Sequence, residues 1–121
     1  MNIIAPKSKK IIILVKIIVH IFKNLMVYNK YFIIINPNAG YGLGLKKWNI
    51  IASLLTKNKI DYDYQISEFS GHILEIAKNT YKKNYKKIII VGGDGSLNEV
   101  INGLISTSSN SLKEITISMI P

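Results

Sequence analysis

The sequence contains no cysteine and no arginine: all 16 basic residues are lysine, and only seven residues are acidic. The absence of cysteine excludes disulfides and thiolate metal sites and is compatible with a reducing compartment. With 48% hydrophobic residues in 121 positions, the chain can bury the core of one small domain, which argues against full disorder. The net charge of +9 favours anionic partners, but no motif indicates specific nucleic-acid binding.

Residues 1–29 form a basic, apolar N-terminal extension. It has five lysines and no acid, and Lys16 and His20 interrupt the apolar run of residues 11–22. This run is shorter than the roughly 20 apolar residues that span a bilayer, and no cleavage site of small residues follows it. Three interpretations stay open: an ordinary amphipathic extension, residues outside the native start, and a basic interfacial helix in peripheral contact with an anionic membrane. We expect a cytoplasmic protein, peripheral at the membrane in the last case.

Residues 30–121 alternate between strand-like and helix-like segments. Short apolar or alternating runs predict strands over residues 31–35, 62–66, 87–91 and 115–120. Apolar residues at helical spacing predict helices over residues 45–55, 73–81 and 97–104, with Ser70 as the cap of the second. The order β-α-β-α-β-α-β indicates an α/β fold, with a parallel sheet covered by helices in three α/β/α layers.

Two glycine-bearing loops follow predicted strands, so both lie at the carboxyl edge of the sheet, where ligands bind. The loop of residues 92–96 reads Gly-Gly-Asp-Gly-Ser. Glycine permits sharp turns and close approach of a ligand, and free amides at a helix start favour phosphate. Asp94 is a candidate Mg²⁺ ligand. The competing structural interpretations are a tight turn for the glycines and a capping box for Ser96 and Glu99.

The other loop, residues 36–44, does not complete the dinucleotide pattern G-x-G-x-x-G, because Leu45 occupies the position of the third glycine. No G-K-[ST] triplet occurs in the chain, which excludes the common P-loop. Any nucleotide site is therefore of another type.

Three motifs resemble one known family. The stretch from Gly92 to Leu104, G-G-D-G-S-L-N-E-V-I-N-G-L, resembles the signature of the diacylglycerol kinase catalytic domain, which sphingosine kinases and bacterial lipid kinases share. Residues 36–40, N-P-N-A-G, resemble that family's opening N-P-x-[SA]-G motif, and residues 70–77 resemble the segment between them. The resemblance covers residues 31–121, and three motifs in order make it specific.

The resemblance implies an ATP-dependent lipid kinase that acts on diacylglycerol or a related lipid, with Mg²⁺. Residues 30–121 would be the nucleotide-binding part of its catalytic domain, with the N-terminal fold of diacylglycerol kinase- and NAD kinase-like enzymes. The residues that match the family's nucleotide site are Asn36, Gly40, His72, Gly92, Gly93, Asp94, Gly95 and Ser96, with Asp94 as the metal ligand.

Two departures qualify this expectation. Ser96 stands where threonine is commoner in the family, although the hydroxyl is kept. After a proline like Pro121 the family continues with G-T-x-N-D and a β-rich second domain that supplies lipid contacts and the general base. We therefore expect a truncated chain, inactive alone and without the catalytic base. An NAD kinase-like enzyme and a non-catalytic nucleotide-binding module or fragment stay as alternatives.

Overall fold

A computed structural model describes the backbone of residues 4–121 and the side chains of residues 9–23, 25 and 29–121. The first three residues of the predicted extension lie outside the described residues. In chain order, the elements are α1 (Ile4–Tyr28), β1 (Tyr31–Ile35), α2 (Ala39–Gly42), α3 (Gly44–Lys57), β2 (Tyr62–Ile66), α4 (His72–Lys82), β3 (Lys87–Val91), α5 (Asp94–Thr107), α6 (Ser111–Glu114) and β4 (Thr116–Ile120).

The four strands form one sheet in the order β2-β1-β3-β4, and every neighbouring pair is parallel. The chain leaves β1 for β2 on one side and returns to β3 on the other side. This reversal places a crevice between β1 and β3 at their carboxyl ends, the usual ligand position in open α/β sheets. The predicted parallel sheet is confirmed.

The side chains of alternate strand residues pack into two hydrophobic cores, one on each face of the sheet. Phe32, Ile34, Ile88 and Ile90 pack on one face with residues of α4 and α5. The opposite face has Ile33, Ile35 and Val91 packed under Trp48 of α3. Because the strands are buried on both faces, their sequences are continuously apolar rather than alternating. The α/β/α layering predicted from the sequence is therefore confirmed.

A hydrogen-bonded cluster stabilises the amino edge of the sheet, opposite the crevice. The hydroxyl of Tyr85 donates to the carboxylate of Asp63, and Lys30 Nζ lies 3.2 Å from the same carboxylate. Partial burial alone would raise the pKa of Asp63, but the bonds from Tyr85 and Lys30 outweigh it and leave this pKa below 3.8. Burial and the bond to Asp63 raise the pKa of Tyr85.

Helix α1 is 25 residues long and precedes the sheet. Its described side chains are all exposed. Within residues 4–121, no helix is both long enough and apolar enough to cross a bilayer.

The start of α4 differs from the prediction. Gly71, not Ser70, is the N-cap residue, and no side chain caps the helix. Gly71 has φ 85°, a left-handed conformation that glycine adopts without steric penalty, so the backbone turn rather than a serine hydroxyl sets where the helix begins.

Candidate nucleotide-binding site

The two glycine-bearing loops start side by side at the carboxyl ends of β1 and β3. Ile35 and Val91 are paired across the two strands. The N–H of Asn36 donates to the carbonyl of Val91 at 2.9 Å, and the N–H of Gly92 donates to the carbonyl of Ile120 at 3.1 Å. Both loops therefore leave the sheet from a fixed position in the crevice between β1 and β3.

Asn36 and Ser96 connect the two loops directly. Asn36 Nδ2 donates to Ser96 Oγ at 3.1 Å, and Asn36 Oδ1 accepts the N–H of Asn38 at 3.0 Å. Ser96 is only 4% exposed. A Cβ on Gly92 would lie 2.5 Å from Ser96 Oγ and 2.8 Å from its Cβ, so this serine packs directly against the loop backbone. Gly92 is therefore required by packing.

The capping-box interpretation of Ser96 and Glu99 is wrong. The N-cap of α5 is Gly93, with no side-chain capping bond, and Ser96 lies inside the first helical turn. Its hydroxyl instead serves the long-range bond to Asn36. The S-x-x-E pattern is local, so it could not reveal a partner 60 residues away.

Gly93 and Gly95 have no comparable packing role. A Cβ at either position would meet no heavy atom within 4 Å, and neither residue has a positive φ. Both are exposed, as is Asp94 between them. The amides of the first helical turn have no acceptor within the helix and point toward an anion placed at its start. The open space at Gly93 and Gly95 leaves these amides accessible.

The loop after β1 turns back on itself before α3. Gly40, Tyr41 and Gly42 all have positive φ values, and Gly40 is exposed. A Cβ on Gly40 would lie 3.6 Å from Lys47 Nζ, which donates to the carbonyl of Pro121 at 2.7 Å. Lys47 thus lies at the carboxyl edge of the sheet beside the predicted site residue Gly40.

A cleft of about 450 Å³ opens beside the loop of residues 36–38. Its walls are Asn36, Pro37, Asn38, Ser67, Glu68, Phe69, Ser70, Ile73 and Glu99. Glu99 Oε2 is buried and has no hydrogen-bond partner among the described residues. A buried carboxylate oxygen without a donor is costly, so a ligand donor is the natural complement to it. The sequence did not reveal Glu99 as a cleft residue, because its S-x-x-E spacing from Ser96 also fits a helix cap.

His72 lies apart from the glycine loop. Its Nδ1 accepts the N–H of Glu68 at 2.9 Å, and its ring stacks on Phe69 with centroids 4.3 Å apart. Phe69 and Glu68 line the cleft, whereas His72 does not. The histidine therefore shapes the β2–α4 loop that forms one wall, and the structure does not bring it to the other predicted site residues.

The donor set around Asp94 fits Mg²⁺ only together with a ligand. No group of three His, Cys, Asp or Glu side chains converges within the part of the chain that the structure describes. Mg²⁺ is commonly held by one or two carboxylates plus phosphate oxygens and water. A single exposed carboxylate beside free helix amides matches that arrangement.

The sequence-family model of the diacylglycerol kinase catalytic domain matches residues 30–121, which include both loops and the cleft. The chain belongs to the diacylglycerol kinase catalytic domain family. It is 34% identical over 94 residues to "Putative lipid kinase YtlR" of Bacillus subtilis (strain 168), covering 75% of this chain and 29% of that protein. It is 35% identical over 88 residues to the ceramide kinase of Oryza sativa subsp. japonica, covering 70% of this chain and 14% of that protein.

A solved structure in this family has the same fold. The crystal structure of a putative diacylglycerol kinase from Bacillus anthracis str. Sterne matches with a TM-score of 0.63 and 25% identity, over 78% of this chain and 31% of that one. This family member thus spans less than a third of the length of these relatives.

Proposed function

We propose that this chain is the nucleotide-binding part of a lipid kinase that transfers the γ-phosphoryl group of ATP to a lipid hydroxyl. The observation that carries the proposal is the open start of α5. Gly93 and Gly95 serve no packing or backbone requirement, yet they keep the first-turn amides accessible beside the carboxylate of Asp94. An anionic phosphate chain with its Mg²⁺ complements both features.

The triphosphate would lie against residues 93–96, and the nucleoside would extend into the cleft. Glu99 Oε2 would accept a hydrogen from a hydroxyl or amino group of the nucleoside, which would satisfy this buried oxygen. Asn36 and Ser96 hold the two loops at a fixed separation, so they act by positioning. The bound Mg²⁺ would supply charge neutralisation on the phosphates, held at Asp94.

In the reaction, the lipid hydroxyl oxygen forms a bond to the γ-phosphorus while the bond from that phosphorus to the β–γ bridging oxygen breaks, and ADP leaves. The first-turn amides of α5 would stabilise negative charge on the phosphates. The hydroxyl proton needs a positioned base. Asp94 would hold the metal and Glu99 the nucleoside, so neither is free to act as this base. We therefore propose that residues 1–121 alone bind ATP but do not transfer its γ-phosphoryl group to a lipid.

We propose only the class of the molecule that accepts the phosphoryl group, a membrane lipid with a free hydroxyl. Relatives of the chain include proteins named lipid kinase, ceramide kinase and sphingoid long-chain base kinase. Diacylglycerol, ceramide and sphingoid bases all present a hydroxyl at a membrane surface, and we place the protein in the cytoplasm at that surface.

A radiolabel transfer assay tests this function. The whole kinase, of which this chain is proposed to be the nucleotide-binding part, would be incubated with γ-labelled ATP, Mg²⁺ and mixed micelles of each lipid, with NAD in a parallel reaction. We expect label in one lipid class and its loss in Asp94→Asn. The matched variant Asp61→Asn, at the opposite edge of the sheet, should keep activity. Label in NAD with none in any lipid would contradict the proposal.

A further inference from the structure

Helix α1 exposes apolar side chains along its described length. Its large hydrophobic side chains between residues 11 and 25 are 44–63% exposed. Even the least exposed of them, Val19, is far from buried, so the sheet and its covering helices do not cover this helix. Apolar surface of this extent marks an interaction site in a folded protein.

Three of the five lysines of α1 lie on one side of the helix; the positions of Lys7 and Lys10, near its N-terminus, are rotated from that of Lys9 by about 160° and 100°. Lys9, Lys16 and Lys23 are spaced by seven residues, which is nearly two helical turns and shifts each one by only about 20° from the last. Leu14, Ile18 and Leu25 occupy the opposite side at spacings of four and seven. All six side chains are exposed. The helix therefore has a basic stripe and a broad apolar face.

We propose that α1 lies in the interface of an anionic lipid bilayer, with its apolar face inserted and its lysine stripe at the phosphate headgroups. A helix of 25 residues would extend about 37 Å along the surface. This inference rests on α1 alone and does not require the kinase function. It would, however, hold the cleft next to a membrane-resident acceptor.

Charge and polarity select this partner over two others. The sequence of α1 contains no acid, so a second copy packed through the apolar face would leave the lysine stripe without a counter-charge. A nucleic acid would satisfy the lysines but leave the apolar face in water. An anionic bilayer offers acidic headgroups and hydrocarbon within a few ångströms of each other, which matches both sides of the helix.

Vesicle flotation tests the proposal with the whole chain and vesicles of phosphatidylcholine, with or without phosphatidylglycerol. Each lysine near an acidic surface contributes about fivefold in affinity, so the triple variant Lys9→Gln/Lys16→Gln/Lys23→Gln should bind anionic vesicles on the order of 100-fold more weakly. The matched triple variant Lys57→Gln/Lys82→Gln/Lys113→Gln removes three exposed lysines outside α1 and should bind like wild type.

Two further measurements distinguish insertion of α1 from adsorption by charge alone and from loss of the fold. Ile18→Gln keeps every lysine and adds no charge but places a polar amide on the apolar face, so it should also weaken binding to anionic vesicles. Circular dichroism and thermal unfolding of each variant should show an unchanged core, because the substituted side chains in α1 are exposed. Differences in vesicle binding then come from the surface of α1 and not from unfolding.

Three outcomes would overturn the proposal. An equal loss for both lysine triples would mean that diffuse charge, not the α1 stripe, binds the surface. Unchanged binding by Ile18→Gln would mean adsorption without insertion. Concentration-dependent self-association that Ile18→Gln abolishes, with no vesicle binding by wild type, would assign α1 to a contact between copies of this chain.

Discussion

Replacing Gly95 with alanine separates what the fold requires from what a ligand requires. Gly95 is in the first turn of α5, where alanine is compatible with the backbone, and its added methyl would meet no heavy atom within 4 Å. Alanine restricts the unfolded chain and favours the helix, so Gly95→Ala should stabilise the protein by about 0.4–1 kcal/mol. Urea unfolding would measure this change.

The same methyl should weaken ATP binding. Each Cα–Cβ bond of an α-helix tilts toward the helix N-terminus, so the new Cβ would project into the space before α5. That is the space proposed for the phosphates, and a displaced phosphate should weaken binding by roughly tenfold or more, about 1.4 kcal/mol. Isothermal titration calorimetry with ATP and Mg²⁺ would show it.

Gly92→Ala is the matched control, because its added Cβ would lie 2.5 Å from Ser96 Oγ and 2.8 Å from Ser96 Cβ. Overpacking of this kind should destabilise the protein by about 1–3 kcal/mol. The opposite signs of the two stability changes are the diagnostic result. If Gly95→Ala were more stable and bound ATP as tightly as wild type, Gly95 would not be needed for ligand binding. That result would refute the proposed phosphate position at the start of α5.

Three other substitutions test separate parts of the structure. Glu99→Gln removes a buried, unpaired carboxylate, so urea unfolding should show equal or higher stability. Calorimetry should show about tenfold weaker ATP binding. Lower stability with unchanged ATP binding would mean that Glu99 has a structural role instead. Gly103→Ala would place a Cβ 2.5 Å from the carbonyl oxygen of Leu74, so the α4–α5 contact should lose about 1–3 kcal/mol in urea unfolding; a neutral result would contradict this packing. Asp63 has a lowered pKa in the folded protein, so its contribution is present above pH 3.8 and is lost as pH falls through the folded pKa. The free energy of unfolding of Asp63→Asn should therefore fall less steeply below about pH 4 than that of wild type. The difference should be no more than about 1 kcal/mol, because the side chain is 41% exposed. Identical acid-unfolding curves for the two proteins would refute this role of Asp63.

Sequence patterns predicted the strands and main helices well, for a physical reason. Strands buried on both faces, such as residues 31–35 and 87–91, must be apolar at nearly every position, so they are visible without any structure. The three main helices contribute apolar faces to the two cores, and their periodicity reflects that contact. Parallel pairing followed from their alternation with the strands.

The site was predictable only in part. The glycine-loop motif predicted a site at residues 92–96, and strand direction placed them at the same edge of the sheet as residues 36–40. The bond from Asn36 to Ser96 was not predictable, because it depends on the lateral order of β1 and β3 in the sheet. For the same reason Glu99 was assigned to a cap, since its place in the cleft depends on how α5 lies against the loop after β1.

We propose that the start of α5 binds ATP with Mg²⁺, and calorimetric titration of the 121-residue chain tests this binding most directly. We predict saturable binding by wild type that requires Mg²⁺, with at least about tenfold weaker affinity in Asp94→Asn and wild-type affinity in Asp61→Asn. Equal affinity in all three proteins, or no binding by a folded wild-type chain, would contradict the account.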